Sequence, residues 1–172
     1  MKFPEYELGK YQALWNSKAQ YRMCTAALSP PVIKDIFALA TEEELSQWNS
    51  LPLNYAAEQG DLELRISIAK QYPGLTADNI VTFCGTQEAL FCTMQATIKE
   101  NDHTLTIDPA YEPLFKIPES IGARVSKISL QISSDKKTSN KHSQPPHWTL
   151  PIEELLSTAQ EGFQQLVINF PH

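Results

Sequence analysis

Short β-branched runs and stretches with helix-spaced apolar positions take turns along this chain. Thr41-Glu42-Glu43-Glu44-Leu45 carries a capping box, with the Thr41 hydroxyl on the third helical amide and Glu44 reaching back, so a short helix is expected to about Trp48. Asn54 to Gly60 reads as a loop. Asp61 to Tyr72 reads as a second helix: Leu62, Leu64, Ile66, Ile68 and Ala69 give it an apolar face, Asp61 and Glu63 suit its positive end, and Pro73-Gly74 stops it. Asn79 to Cys84 is short and β-branched, and Gly85 then leads into a long helical run from Thr86 to about Lys99. The pattern repeats with strands at His103 to Asp108, Ala123 to Leu130 and Leu166 to Phe170, and helices at Glu112 to Ile121 and Ile152 to about Gln160. Such alternation predicts an α/β domain, three layers deep (α/β/α), around a mostly parallel sheet.

Two stretches depart from this rhythm. Ser133 to His147, rich in Ser, Lys, Pro and Asn, reads as a polar, solvated excursion between a strand and the next helix. At the other extreme, Leu166-Val167-Ile168 has the continuous apolar character of a parallel strand buried on both faces, and it runs straight into a turn at Phe170-Pro171-His172. The chain reads as cut there, leaving an open apolar edge that invites aggregation. The expected organisation is a segment of short helices over residues 1–50 and an incomplete large domain over 51–172.

The length of 172 residues and the hydrophobic content of 42% are enough for one buried core. A net charge of -6, with Lys and Arg scattered, gives no attraction for nucleic acid or anionic lipid. With no membrane-length apolar run and no signal-peptide core, the expectation is a cytoplasmic protein with no membrane and no nucleic-acid partner. Cys24, Cys84 and Cys92 lack the spacing of a disulfide framework or thiolate site and read as buried free thiols. His103, His142, His147 and His172 include no helical pair, so no metal site is expected.

Candidate chemistry gathers at strand ends. In Cys84-Gly85-Thr86-Gln87-Glu88-Ala89-Leu90 a predicted strand turns into a predicted helix, so free amides and the Thr86 hydroxyl could hold a phosphate without a cationic side chain. An ordinary βα turn in which Thr86 caps the helix satisfies the same pattern. Neither a Walker loop nor a GxGxxG sequence is present. Asp108-Pro109-Ala110-Tyr111 puts an aromatic ring at the same carboxyl edge, either to stack on a flat heterocycle or to pack over the following helix. Tyr55 lies in a loop that passes through Gly60, which serves the turn, to Arg65, which reads as a surface or intersubunit ion-pair partner.

In this order and spacing the segments resemble the class I/II aminotransferases of fold type I. The resemblance runs from about Leu51 to His172: the Tyr55 loop with Gly60 and Leu64-Arg65, Leu75 to Ile80, Gly85 to Leu90, Asp108 to Tyr111, Ile121 to Val125, and Val167 to His172. It implies an incomplete large domain of an enzyme that uses pyridoxal 5′-phosphate to move an amino group on a small amino-acid substrate. Gly85, Thr86 and Gln87 would cradle the cofactor phosphate, and Tyr111 would stack on its ring. Tyr55 would reach the phosphate bound by the other subunit of a homodimer. Asn169 joins the cofactor-binding set at the end of the last strand. The Asn-Phe-Pro-His ending is also similar to the capreomycidine synthase-like branch, which acts on an arginine-derived substrate.

The same resemblance assigns no catalytic residue here. The family's Schiff-base Lys, the Asp paired with the pyridine nitrogen and the carboxylate-binding Arg belong to later segments. Lys99 and Lys116, in polar helical contexts, do not substitute for that base. Other readings of the residues stay open: a lyase or decarboxylase of the same fold, a non-catalytic remnant or phosphate-ligand binding module, and an unrelated flavodoxin-like or Rossmann-like domain.

Overall fold

The computed structural model describes residues 5–23, 29–133 and 147–169. Its helices are α1 (Glu7–Trp15), α2 (Ile33–Phe37), α3 (Glu42–Asn49), α4 (Leu62–Ala69), α5 (Thr86–Thr97), α6 (Pro113–Ile121) and α7 (Ile152–Ala159). Its strands are β1 (His103–Asp108), β2 (Arg124–Ser129), β3 (Gln131–Ser133), β4 (His147–Thr149) and β5 (Gln165–Val167). The chain divides into two compact units, Met1–Lys10 with Phe83–His172, and Tyr11–Thr82.

The first unit is an α/β layer structure. β1 lies between β2 and β5, and both pairings are parallel. A central strand has its backbone groups paired on both sides and its side chains covered on both faces, and β1 is accordingly buried from His103 to Ile107. Alternate residues face opposite layers. On one side Val167 packs against a cluster of Met94 and Ile98 from the α5 segment and Leu114 of α6. On the other, Ile107, Ile128 and Leu166 meet Leu155 of α7. Helices thus cover both faces of the three-stranded sheet. Gly122, at φ +96°, ends α6, and the Ala123 N–H returns to the Pro118 carbonyl at 3.1 Å.

The second unit shows how local chemistry sets boundaries. Thr41 and Glu44 form the expected capping box at α3. Asp61 is the N-cap of α4, its carboxylate accepting from the Leu64 N–H at 2.9 Å, so this helix starts one residue after the expected Asp61, and it ends at Ala69, before the expected Tyr72. Phe37 and Trp48 join α2 to α3 edge-on at 5.6 Å.

Four expectations are corrected. Residues 79–84 form no strand: Ile80 is extended, but the segment finds no strand partner among the described residues, and extended backbone becomes a strand only by pairing. Of the strand expected from Leu166, Phe170 lies outside the described residues; β5 ends at Val167 and its one partner among the described residues is β1, so Leu166 is 39% and Ile168 50% exposed instead of buried on both faces. The flanks of the polar excursion are not loop: β3 and β4 pair antiparallel, Ile132 opposite Trp148. Residues 134–146 lie outside the described residues. Cys84 and Cys92 are exposed, one in the turn before α5 and the other on its outer side, away from Leu90 and Met94; Cys24 lies outside the described residues.

Candidate functional site

The site is built where α5 begins. Gly85 is its N-cap, at φ +97° and ψ +162°, a conformation that favours glycine. With no side chain, it makes no cap hydrogen bond to the first-turn amides of Thr86, Gln87 and Glu88. Thr86 is therefore the first helical residue, and the cap position that the ordinary-turn alternative gave to Thr86 falls to Gly85. Among the described residues, the two flanking ones aside, no heavy atom lies within 4 Å of where a Gly85 Cβ would stand. Glu88 turns back, and its carboxylate accepts from the Cys84 N–H at 2.5 Å. The helix thus presents amides, a dipole and the Thr86 hydroxyl, the donor set a phosphate requires.

The next group arrives from β1. The chain leaves the strand through the cis Asp108–Pro109 peptide and reaches Tyr111 just before α6. The Gln87 carboxamide donates to the Tyr111 hydroxyl at 2.6 Å, bringing the start of α5 and the tyrosine together. Asn169, half-buried, lies two residues beyond Val167, which is in register with Thr106 of β1. It therefore shares the carboxyl edge of the sheet with Asp108 and Tyr111. Tyr55 is fully exposed in the other unit.

Several residues at this edge were not anticipated from the sequence. The Tyr6 ring meets Tyr111 edge-on, with centroids 6.2 Å apart and planes at 88°. Glu112 holds the segment that carries Tyr6, accepting from the N–H groups of Glu7 at 3.2 Å and Leu8 at 2.9 Å. Burial first, then a hydrogen bond with Tyr111 and the charges of Tyr111 and Glu112, push the Tyr6 phenol up to about 12. An aromatic near the amino terminus carries no periodic signal that links it to a residue about a hundred positions away.

One further residue takes a different place from the one expected. Arg65 is buried, not a surface ion-pair partner: it donates to the Gly60 carbonyl at 3.2 Å, Gln59 Oε1 at 3.1 Å and the Ala77 carbonyl at 2.8 Å. His103 is buried at the opposite, amino edge of the sheet, with Nδ1 2.7 Å from the Gly162 carbonyl and Nε2 2.8 Å from Ser126 Oγ. Among the described residues no group of three or more His, Cys, Asp or Glu is disposed to hold a metal ion, and no helix is long and apolar enough to cross a membrane.

No family model matches the chain. Among solved structures, a PLP-dependent aminotransferase from Streptococcus suis 89-1591 superposes with a TM-score of 0.75 at 22% identity, covering 92% of this chain and 40% of its own. The fold is that of the fold type I aminotransferases. Sequence similarity points to the same class I/II aminotransferases. A kynurenine–oxoglutarate transaminase of Dictyostelium discoideum is 28% identical over 100 residues, 54% of this chain and 22% of its own length. A methionine aminotransferase of Escherichia coli (strain K12) is 26% identical over 125 residues, 69% of this chain and 29% of its own length. The matches thus span less than a third of either curated aminotransferase. The carboxyl edge of β1 and the start of α5 lie together through Gln87 and Tyr111, and ligands of open α/β sheets commonly bind outside the carboxyl ends of the strands.

Proposed function

We propose that this chain carries the phosphate cradle and ring platform of a pyridoxal 5′-phosphate-dependent aminotransferase acting on a small amino acid, with the cofactor-binding domain beginning at about residue 51. The observation that carries the reading is the 2.6 Å hydrogen bond from Gln87 to Tyr111, which ties an anion-binding helix start to an aromatic ring. The donor set fits the cofactor: amides of Thr86 and Gln87 with the Thr86 hydroxyl for its phosphate, and the Tyr111 ring for its pyridine.

When bound, the cofactor supplies the electron sink for amino-group transfer. The residues of this chain bind and orient it. The α5 amides hold a dianion without a cationic side chain, while Gln87 fixes the Tyr111 hydroxyl and limits the tilt of its ring. Asn169 approaches the same edge from β5. We assign the Schiff-base role to no lysine of this chain. The same reading makes the protein cytoplasmic and homodimeric, with Tyr55 serving the partner's phosphate site; the full exposure of Tyr55 supports that role.

The test is an absorbance titration of the purified chain with pyridoxal 5′-phosphate, followed by borohydride treatment and peptide mapping. Saturable binding that pyridoxal without the phosphate does not reproduce supports the cradle. Equal binding of both compounds, or of neither, rejects it. A stoichiometric adduct on one lysine would overturn the statement that this chain supplies no Schiff-base residue.

A further inference from the structure

A cavity of about 240 Å³ opens beside Tyr111, between α5, α6 and the segment preceding α1. Tyr6 walls one side, Gln87 and Phe91 of α5 another, and Lys116 and Ile117 of α6 a third. This is no gap under a loose terminus: the segment is anchored by the two hydrogen bonds to Glu112 and by the edge of Tyr6 on Tyr111. At ~30 Å³ per water the space equals the share of about eight waters, below the size of pockets that take drug-sized ligands and suited to a smaller body.

The charges around the cavity are unequally engaged. Glu5, also in the lining, is held by Lys10. The Glu112 carboxylate already accepts two amide hydrogen bonds, and its contact with Lys116 is only 4.0 Å. Lys116 therefore brings a partly buried ammonium to an apolar space with donor capacity left over. Among the walls, Phe91, Ile117 and the Tyr6 ring offer only apolar surface to a body lying between them.

We propose that this cavity is a binding site for a one-ring carboxylic acid, with the carboxylate on Lys116 and the ring between Phe91, Ile117 and Tyr6. The site is separate from the phosphate cradle, touching it only through Gln87. A dianion such as phosphate would find one cation, a nearby Glu5 and apolar walls, so the apolar monocarboxylate is the better complement. An amino acid would place its ammonium group beside the Lys116 ammonium, in a space whose lining carboxylate, Glu5, is already paired.

The experiment is an amide NMR titration of the full chain with 3-phenylpropionate, without pyridoxal phosphate, so its outcome does not turn on the cofactor reading. Shifts should cluster on Gln87, Phe91, Lys116 and Ile117. Lys116→Met, which keeps the apolar stem, should weaken the acid roughly 5-fold or more. It should leave the neutral isostere 3-phenylpropan-1-ol unchanged, and Lys116→Arg should restore the acid. Phe91→Ala should weaken both compounds. Unchanged Glu7 and Leu8 amide shifts in Lys116→Met verify that the arm is still docked. Shifts centred elsewhere, equal binding by wild type and Lys116→Met, or tighter binding of phenylalanine than of 3-phenylpropionate would each overturn the proposal.

Discussion

The guanidinium of Arg65 donates to the Ala77 carbonyl at 2.8 Å, joining α4 to the turn that leads toward the candidate site. The same group reaches back to Gln59 and Gly60, so one buried cation holds two loops without a carboxylate. Replacing it by Met leaves two partly buried carbonyls short of a charged donor. Hydrogen bonds to charged groups contribute about 1.5–3 kcal/mol, so Arg65→Met should destabilise Tyr11–Thr82 by about 2–3 kcal/mol in urea unfolding. Arg65→Lys should recover only part of this, because one ammonium cannot reproduce the fork.

Gly60 is required twice. Its φ of +94° disfavours any L side chain, and a Cβ there would overlap Thr82 Oγ1. The conformational part alone costs about 1–2 kcal/mol. Gly60→Ala should therefore lose more than that, and Gly60→Ala with Thr82→Ala should recover the steric part but not the backbone part. Chemical unfolding of the four proteins in this cycle separates the two; full recovery in the double variant would show that φ carries no penalty.

The α3 cap should be visible in acid. Glu44 accepts from the Thr41 N–H at 2.7 Å and the Thr41 hydroxyl at 2.8 Å, and these bonds, the backbone one first, hold its carboxyl below the ordinary value of 4.5. As pH falls the unfolded chain binds the proton first, so the contribution of Glu44 is present above the ordinary value and lost as pH passes down through the folded one. Carboxyl NMR titration should show a depressed midpoint in the wild type and a partial rise toward 4.5 in Thr41→Ala, which removes the hydroxyl donor and keeps the larger backbone one.

What the sequence disclosed and what it concealed divide along a physical line. Capping at Thr41, the strand over His103 to Asp108 and the glycine turn at Gly85 are local, decided by residues within one turn or strand, and all three stand in the structure. The segment at 79–84 failed as a strand because Asn79 closes a 3-10 turn and pairing is a property of two segments. Arg65 read as a surface charge because its three acceptors are mainly backbone carbonyls, which leave no trace in the sequence. Tyr6 and Glu112 escaped notice for the same reason: a contact across more than a hundred residues has no period.

Tyr6 should report its docking at high pH. Its phenol is pushed up from 10.0 to about 12, chiefly by burial. Between those values the folded state keeps a proton that the unfolded chain has released, so the docked arm is unaffected below pH 10.0 and destabilised as pH climbs toward 12. Phenolate absorbance of wild type against Tyr6→Phe gives the midpoint. Glu112→Gln removes one raising charge, so the midpoint should drop yet stay above 10.0, because burial remains the larger cause.

Thr86 and Tyr111 address different parts of the cofactor, and two ligands distinguish them. Thr86→Ala removes one hydroxyl donor from the phosphate cradle while leaving the α5 amides in place. A single hydrogen bond to a charged group is worth about 1.5 kcal/mol at the low end of its range, so affinity for pyridoxal 5′-phosphate should fall about 10-fold. Pyridoxal, lacking the phosphate, should bind both proteins alike. Tyr111→Ala removes the ring platform and should weaken both ligands by a similar factor. Tyr111→Phe keeps the ring and loses only the acceptor that Gln87 now uses at 2.6 Å, so its effect should be the smaller of the two. If Thr86→Ala weakens pyridoxal as much as its phosphate, the start of α5 holds some other part of the ligand, and the phosphate must be sought elsewhere on the β1 edge.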